Sequence, residues 1–157
     1  MKIHKFALAL AVVTIAAVTS LIFLVPKWTK DRPYRLHPDD GKTVAIGARI
    51  YQSHCASCHG SNLEGQPEWR SRDSRGFLPA PPHNASGHTW HHSDETLFQI
   101  TKLGVAHVIG DETYQTTMPI YSGVLNDEEI VAVLSWIKAQ WPSDIRKSNE
   151  LVNEGNR

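Results

Sequence analysis

The chain has 157 residues, with 16 Lys+Arg against 16 Asp+Glu and a formal net charge of zero. A hydrophobic content of 41% and a charged content of 20% are globular values and exclude wholesale disorder. The balanced charge argues against a nucleic-acid binder, and two cysteines are too few for a disulfide-dense scaffold.

Residues 1–5 form a short head containing Lys2 and Lys5. Residues 6–25, FALALAVVTIAAVTSLIFLV, run for 20 positions without a charge. At about 1.5 Å per residue a helix of that length crosses the hydrocarbon of a bilayer, so the run reads as a transmembrane anchor. Trp28 follows where an interfacial side chain belongs, and the lysines of the head favour an inside N-terminus with the remainder outside. The competing reading is a cleaved signal peptide, with a small-residue site around Val18-Thr19-Ser20. It leaves an apolar mature end at Leu21–Val25 and is less favoured.

Residues 26–42 read as a charged, turn-rich linker with little capacity to pack. The folded domain is expected over residues 43–142, and residues 143–157 as a polar, frayed tail. The first helix is predicted from Val44 to about Cys55, with Val44, Ala48, Tyr51 and Cys55 on one face. The second is predicted over Asp94 to Leu103, capped by Ser93 and stopped by Gly104. The third is predicted from Asp127 to about Gln140. Asn126 and Glu129 stand in capping-box spacing, and Ile130, Val133, Leu134 and Ile137 form its apolar face. No alternating strand appears. The expected fold is all-α with long loops and a core too thin to be complete without a bound group.

Cys55-Ala56-Ser57-Cys58-His59 is a C-x-x-C-H sequence, the signature of c-type haem attachment. In a helix, positions i, i+3 and i+4 share a face. Two thiols then reach the vinyl edge of a porphyrin while the imidazole reaches the iron. C-x-x-C alone also fits a thioredoxin-like pair or half a zinc site. The first needs strands that are missing; the second needs further ligands, such as nearby histidines.

Around this motif the chain resembles the class I cytochrome c family, over about Val44 to Trp141. The resemblance rests on Gly47-x-x-x-Tyr51-x-x-x-Cys55-x-x-Cys58-His59-Gly60, on Asn62-Leu63-Glu64-Gly65, and on Leu125 to Ile137. It implies one covalent haem c, held by thioethers to Cys55 and Cys58, with His59 as an axial iron ligand. It also implies that the first and last helices of the family cross closely, with Gly47 permitting the approach and Tyr51 and Trp136 packed around it. A carbonyl from the proline-rich loop Leu78-Pro79-Ala80-Pro81-Pro82 is expected to orient His59, without a choice among the prolines.

The second axial ligand is sought among two methionines, of which Met1 precedes the apolar run. That leaves Met118, in a Met-Pro loop placed as in the family; His83, His88, His91, His92 and His107 are the rivals. Four of the nine histidines lie between His83 and His92. The His88–His92 loop is read chiefly as cover for the haem edge, with copper or zinc binding as the alternative. Arg70, Arg72 and Arg75 read as a solvated loop, or else as a patch for a partner or for haem propionates.

A six-coordinate His/Met haem has no open position. The expected function is therefore one-electron transfer, not catalysis, in a respiratory or photosynthetic chain, as a tethered shuttle or a fixed complex subunit. The alternatives are a haem-based sensor or ligand binder, or metal handling by the histidine loop. The expected place is the bacterial inner membrane with the haem domain in the periplasm. Expected partners are the membrane and redox proteins, with no nucleic acid and no small-molecule substrate. The zero charge also divides: residues 1–30 sum to +4 and residues 31–157 to −4, an acidic domain suited to a basic partner surface.

Overall fold

Helices account for nearly all the regular structure, and three of them begin at a side chain that accepts from their free amide groups, Asp40, Ser93 and Asn126. The computed structural model describes residues 34–155. The expected anchor over residues 6–25 lies outside them; among the described residues no helix is long and apolar enough to cross a membrane. The order is α1 (Gly41–His54), α2 (Ala56–His59), a 3-10 turn (Thr89–His91), α3 (Asp94–Leu103), α4 (Val105–Ile109), α5 (Asp127–Ala139) and α6 (Ser143–Gly155). No strand forms among the described residues, only an isolated bridge between Ser122 and Leu125. The all-α expectation holds.

Helix α1 starts at Gly41, three residues before the expected Val44, because the Asp40 carboxylate accepts from the amides of Lys42 and Thr43. Helix α3 has the expected limits, with Ser93 Oγ accepting from Thr96 N at 3.2 Å. At α5 the capping box closes in both directions: Glu129 N donates to Asn126 Oδ1 and Asn126 N donates to Glu129 Oε2, each at 2.9 Å. Helix α4 was not among the expected elements. It is a five-residue turn after Gly104, too short to show a period.

The largest helix–helix contact is α1 against α5. A Cβ on Gly47 would lie 2.6 Å from the carbonyl carbon of Ala132 and 2.8 Å from Trp136 Cβ, so only glycine permits the crossing. The rings of Tyr51 and Trp136 pack beside it, 4.6 Å between centroids. Tyr51, Phe98, Ile130, Val133, Ile137 and Trp141 form the centre of the buried core.

Two expectations at the domain ends are corrected. The linker expected over residues 26–42 is packed from Tyr34 onward. Leu36 is buried, its amide donates to Asp94 Oδ2 at 3.1 Å, and Tyr34 stacks on Phe98. The C-terminal stretch expected as a frayed tail is helix α6. Asn149 is fully buried in it, and its Nδ2 donates to the carbonyls of Trp90 and His92 at 2.9 and 2.8 Å. Polarity misled here because α6 docks chiefly by hydrogen bonds and charge. Lys138, 1% exposed, joins Asp94 at 3.0 Å and Glu150 at 2.6 Å, and Asn153 donates to Asp94 at 3.1 Å. The domain therefore extends beyond both ends of the expected 43–142 span.

Candidate functional site

The chain turns sharply at Cys55 and re-enters a single helical turn, α2, carrying Ala56 to His59. Amides of Cys58 and His59 both donate to the Cys55 carbonyl, at 3.1 and 2.9 Å. This turn keeps the two thiols and the imidazole at the spacing read from the sequence. Neither cysteine is in a disulfide; Cys55 is partly buried and Cys58 is exposed. Burial pushes the Cys55 thiol up to about 11, and the neighbouring Cys58 adds to the shift.

Two tyrosines fasten the motif at its ends. The Tyr51 hydroxyl donates to the Gly60 carbonyl at 2.8 Å. The Tyr121 hydroxyl donates to the His54 carbonyl at 2.6 Å. Tyr121 stands three residues beyond Met118, so this bond ties the Met118 loop to the end of α1 beside Cys55. Met118 itself is half-buried, and its amide donates to Thr116 Oγ1 at 3.1 Å.

The loop after the motif folds back onto it. Gly65 N donates to the His59 carbonyl at 2.8 Å, Gln66 N to Ala80 O at 2.8 Å, and His83 N to Leu63 O at 2.9 Å. Gly65 has φ +68°, and a Cβ there would lie 2.7 Å from the Pro81 carbonyl carbon. Its lack of a side chain brings the proline loop over His59.

The result is a single choice among the prolines: His59 Nδ1 lies 2.8 Å from the Pro81 carbonyl oxygen. That oxygen only accepts, so Nδ1 carries a proton, and in the neutral ring Nε2 keeps its lone pair. His59 is 8% exposed, and burial holds its pKa below the usual histidine value, opposed by the bond to Pro81. A neutral imidazole oriented by a carbonyl, beside two unpaired thiols, is the donor set that covalent haem requires. The residues present fit the group.

Two features were not legible in the sequence. His83 stacks on His59, with centroids 3.9 Å apart and an angle of 22°. The buried Asp94–Lys138 pair joins α3 to α5. Neither carries a motif; both arise from residues far apart in the chain.

The histidine loop brings two of its rings together, not three. His88 stacks on Trp69 at 5.3 Å and meets His92 edge-on at 5.4 Å, while His91 stacks on Trp90 at 3.6 Å. Among the described residues no group of three or more His, Cys, Asp or Glu is arranged to hold a metal ion. His88 and His91 pack against different tryptophans. In the basic stretch, Arg75 pairs with Asp73 at 2.9 Å, Arg72 donates to the Gly76 carbonyl, and Arg70 lies over Trp69.

A helical domain with this oriented imidazole beside these two thiols fits a c-type haem protein. The chain belongs to the cytochrome c family, whose sequence model matches residues 44–141. Covalently bound haem c follows from that membership, and cysteines at 55 and 58 agree with it. The chain is also 27% identical, over 116 residues, to the cbb3-type cytochrome c oxidase subunit FixP of Sinorhizobium medicae (strain WSM419). That match covers 73% of this chain and 35% of the relative, so the chain spans about a third of its length. No solved structure matches. Family and relative together support haem-based electron transfer.

Proposed function

We propose that this chain is a membrane-tethered one-electron carrier. Its haem c is held by thioethers to Cys55 and Cys58, with His59 and Met118 as the axial ligands. The observation that carries the reading is the bond from His59 Nδ1 to the Pro81 carbonyl beside two unpaired thiols. Bound haem supplies an iron that cycles between ferrous and ferric states. The chain's own residues do the rest. The Pro81 carbonyl holds the His59 proton on Nδ1 and aims Nε2. Tyr121 fixes the Met118 loop at the opposite end of the motif. His59 and Met118 would hold the iron from side chains in both oxidation states, so little of the chain would have to rearrange on electron transfer. A thioether on one side also favours the reduced iron over a second imidazole.

The tether is residues 6–25, with the haem domain on the periplasmic side of a bacterial inner membrane. Anchoring confines diffusion and raises the effective concentration near membrane partners. The likeness to an oxidase subunit supports a partner within a respiratory membrane complex, served either as a shuttle or as a bound subunit. The test is purification from native membranes in mild detergent, followed by a redox titration. One haem per chain, a one-electron transition and no carbon monoxide binding to the reduced protein support the carrier. Carbon monoxide binding at neutral pH would instead support a sensor. Co-purifying oxidase subunits mark the fixed form; release as a monomer marks the shuttle.

A further inference from the structure

His83 lies outside the attachment motif, yet its ring is held on several sides. Its face lies on the His59 ring at 3.9 Å and 22°. Its edge meets Tyr51, 6.3 Å between centroids and 71° between planes. Its Nδ1 is 2.9 Å from Thr89 Oγ1. The Thr89 hydroxyl donates to the Pro82 carbonyl at 3.4 Å, so it accepts the Nδ1 proton of His83. The backbone is held as well: His83 N donates to Leu63 O, and the Trp141 indole donates to the His83 carbonyl at 2.7 Å. Thr89 is itself buried, in a turn whose following carbonyls, Trp90 and His92, are bonded by Asn149.

Filling space does not require this arrangement; an aliphatic side chain fills space. What a flat, anchored ring adds is orientation. The bond to Pro81 fixes one point on the His59 ring, and hydrogen bonds tolerate a broad range of angles. Rotation of the ring about its Cβ–Cγ bond therefore stays soft. A rigid face laid against the ring removes that freedom.

We propose that His83 is a positioning residue that sets the rotation of the His59 imidazole, with Thr89 and Trp141 as its anchors. The inference rests on the reading that His59 ligates the iron. The plane of an axial imidazole decides how its π orbital overlaps the iron d orbitals. A changed plane is therefore read directly in the anisotropy of the low-spin ferric EPR signal.

The experiment compares ferric EPR spectra of the haem-loaded protein and four variants, with haem content and thermal midpoint measured alongside. His83→Leu removes the flat face and is expected to shift and broaden the g values while covalent haem is retained. His83→Phe restores a flat face without the Thr89 bond and is expected to return the g values most of the way. Thr89→Val frees the ring and is expected to give a smaller shift in the same direction. Wild-type g values in His83→Leu overturn the proposal, as does an equal shift in His83→Phe. If His83→Leu does not accumulate folded, unchanged g values in Thr89→Val overturn it. His59→Ala separates the underlying reading: a retained low-spin histidine signal there refutes ligation by His59, whatever the His83 variants do.

Discussion

Replacing Gly47 by alanine tests the helix crossing on which the haem site is built. In an ordinary helix interior the change stabilises by about 1 kcal/mol, because alanine loses less backbone entropy. Here the new Cβ meets the Ala132 carbonyl carbon at 2.6 Å and Trp136 Cβ at 2.8 Å. Carbon atoms prefer a separation of about 3.5 Å or more, so α1 and α5 must part by roughly 1 Å. Overpacking costs about 1–3 kcal/mol, and the upper end applies because the obstacle is backbone. The net loss is about 2 kcal/mol. At about 4 °C per kcal/mol for a domain of this size, the thermal midpoint falls by about 8 °C. Circular dichroism melts of the haem-loaded protein measure it. Gly41→Ala is the control, since a Cβ there meets nothing within 4 Å; it leaves the midpoint unchanged or slightly raised. A Gly47→Ala midpoint equal to or above wild type refutes the close crossing.

Lys138→Met leaves Asp94 charged and buried, at a cost of about 3 kcal/mol, the low end for a broken buried pair because Asp94 keeps its bonds to Leu36 and Asn153. Urea unfolding shows the loss, and adding Asp94→Asn recovers part of it. Asn149→Ala leaves the carbonyls of Trp90 and His92 without their donor and costs about 1–3 kcal/mol, seen as a lower urea midpoint and faster proteolysis at the histidine loop. Burial, with neighbouring positive charge, holds His88 and His92 below 6.5 in the folded chain. The unfolded chain then binds more protons, so their contribution is complete above about pH 6.5 and is lost as pH falls through the interval down to the folded values. Urea midpoints measured from pH 7.5 to 5 fall accordingly, and the slope flattens in a His88→Gln/His92→Gln variant. An unchanged slope refutes this assignment.

Local chemistry was the legible part of the chain. The caps at Ser93 and at Asn126 with Glu129, the apolar face of α5, and Cys55-x-x-Cys58-His59 all act over a few residues, and their spacing states their geometry. Gly47 was legible only through the family resemblance, since a glycine in a helix does not say which backbone approaches it. The remainder depends on long-range contact. Leu36 reads as linker until Asp94 and Ser135 receive the amides around it. Asn149 reads as tail until the carbonyls beyond the 3-10 turn meet it. Five residues of the proline loop offered equivalent carbonyls, and only the passage over Gly65 selects Pro81. The stacking of His83 on His59 brings together residues 24 positions apart whose meeting no periodicity encodes.

The central claim is ligation of one covalent haem by His59 and Met118. The most direct measurement is the ferric absorption spectrum and reduction potential of the Met118→Ala protein beside wild type. Wild type is expected to show the weak red charge-transfer band of a thioether on iron. The variant is expected to lose the band and fall in potential while its haem stays attached through Cys55 and Cys58. Identical spectra and potentials in the two proteins would contradict it.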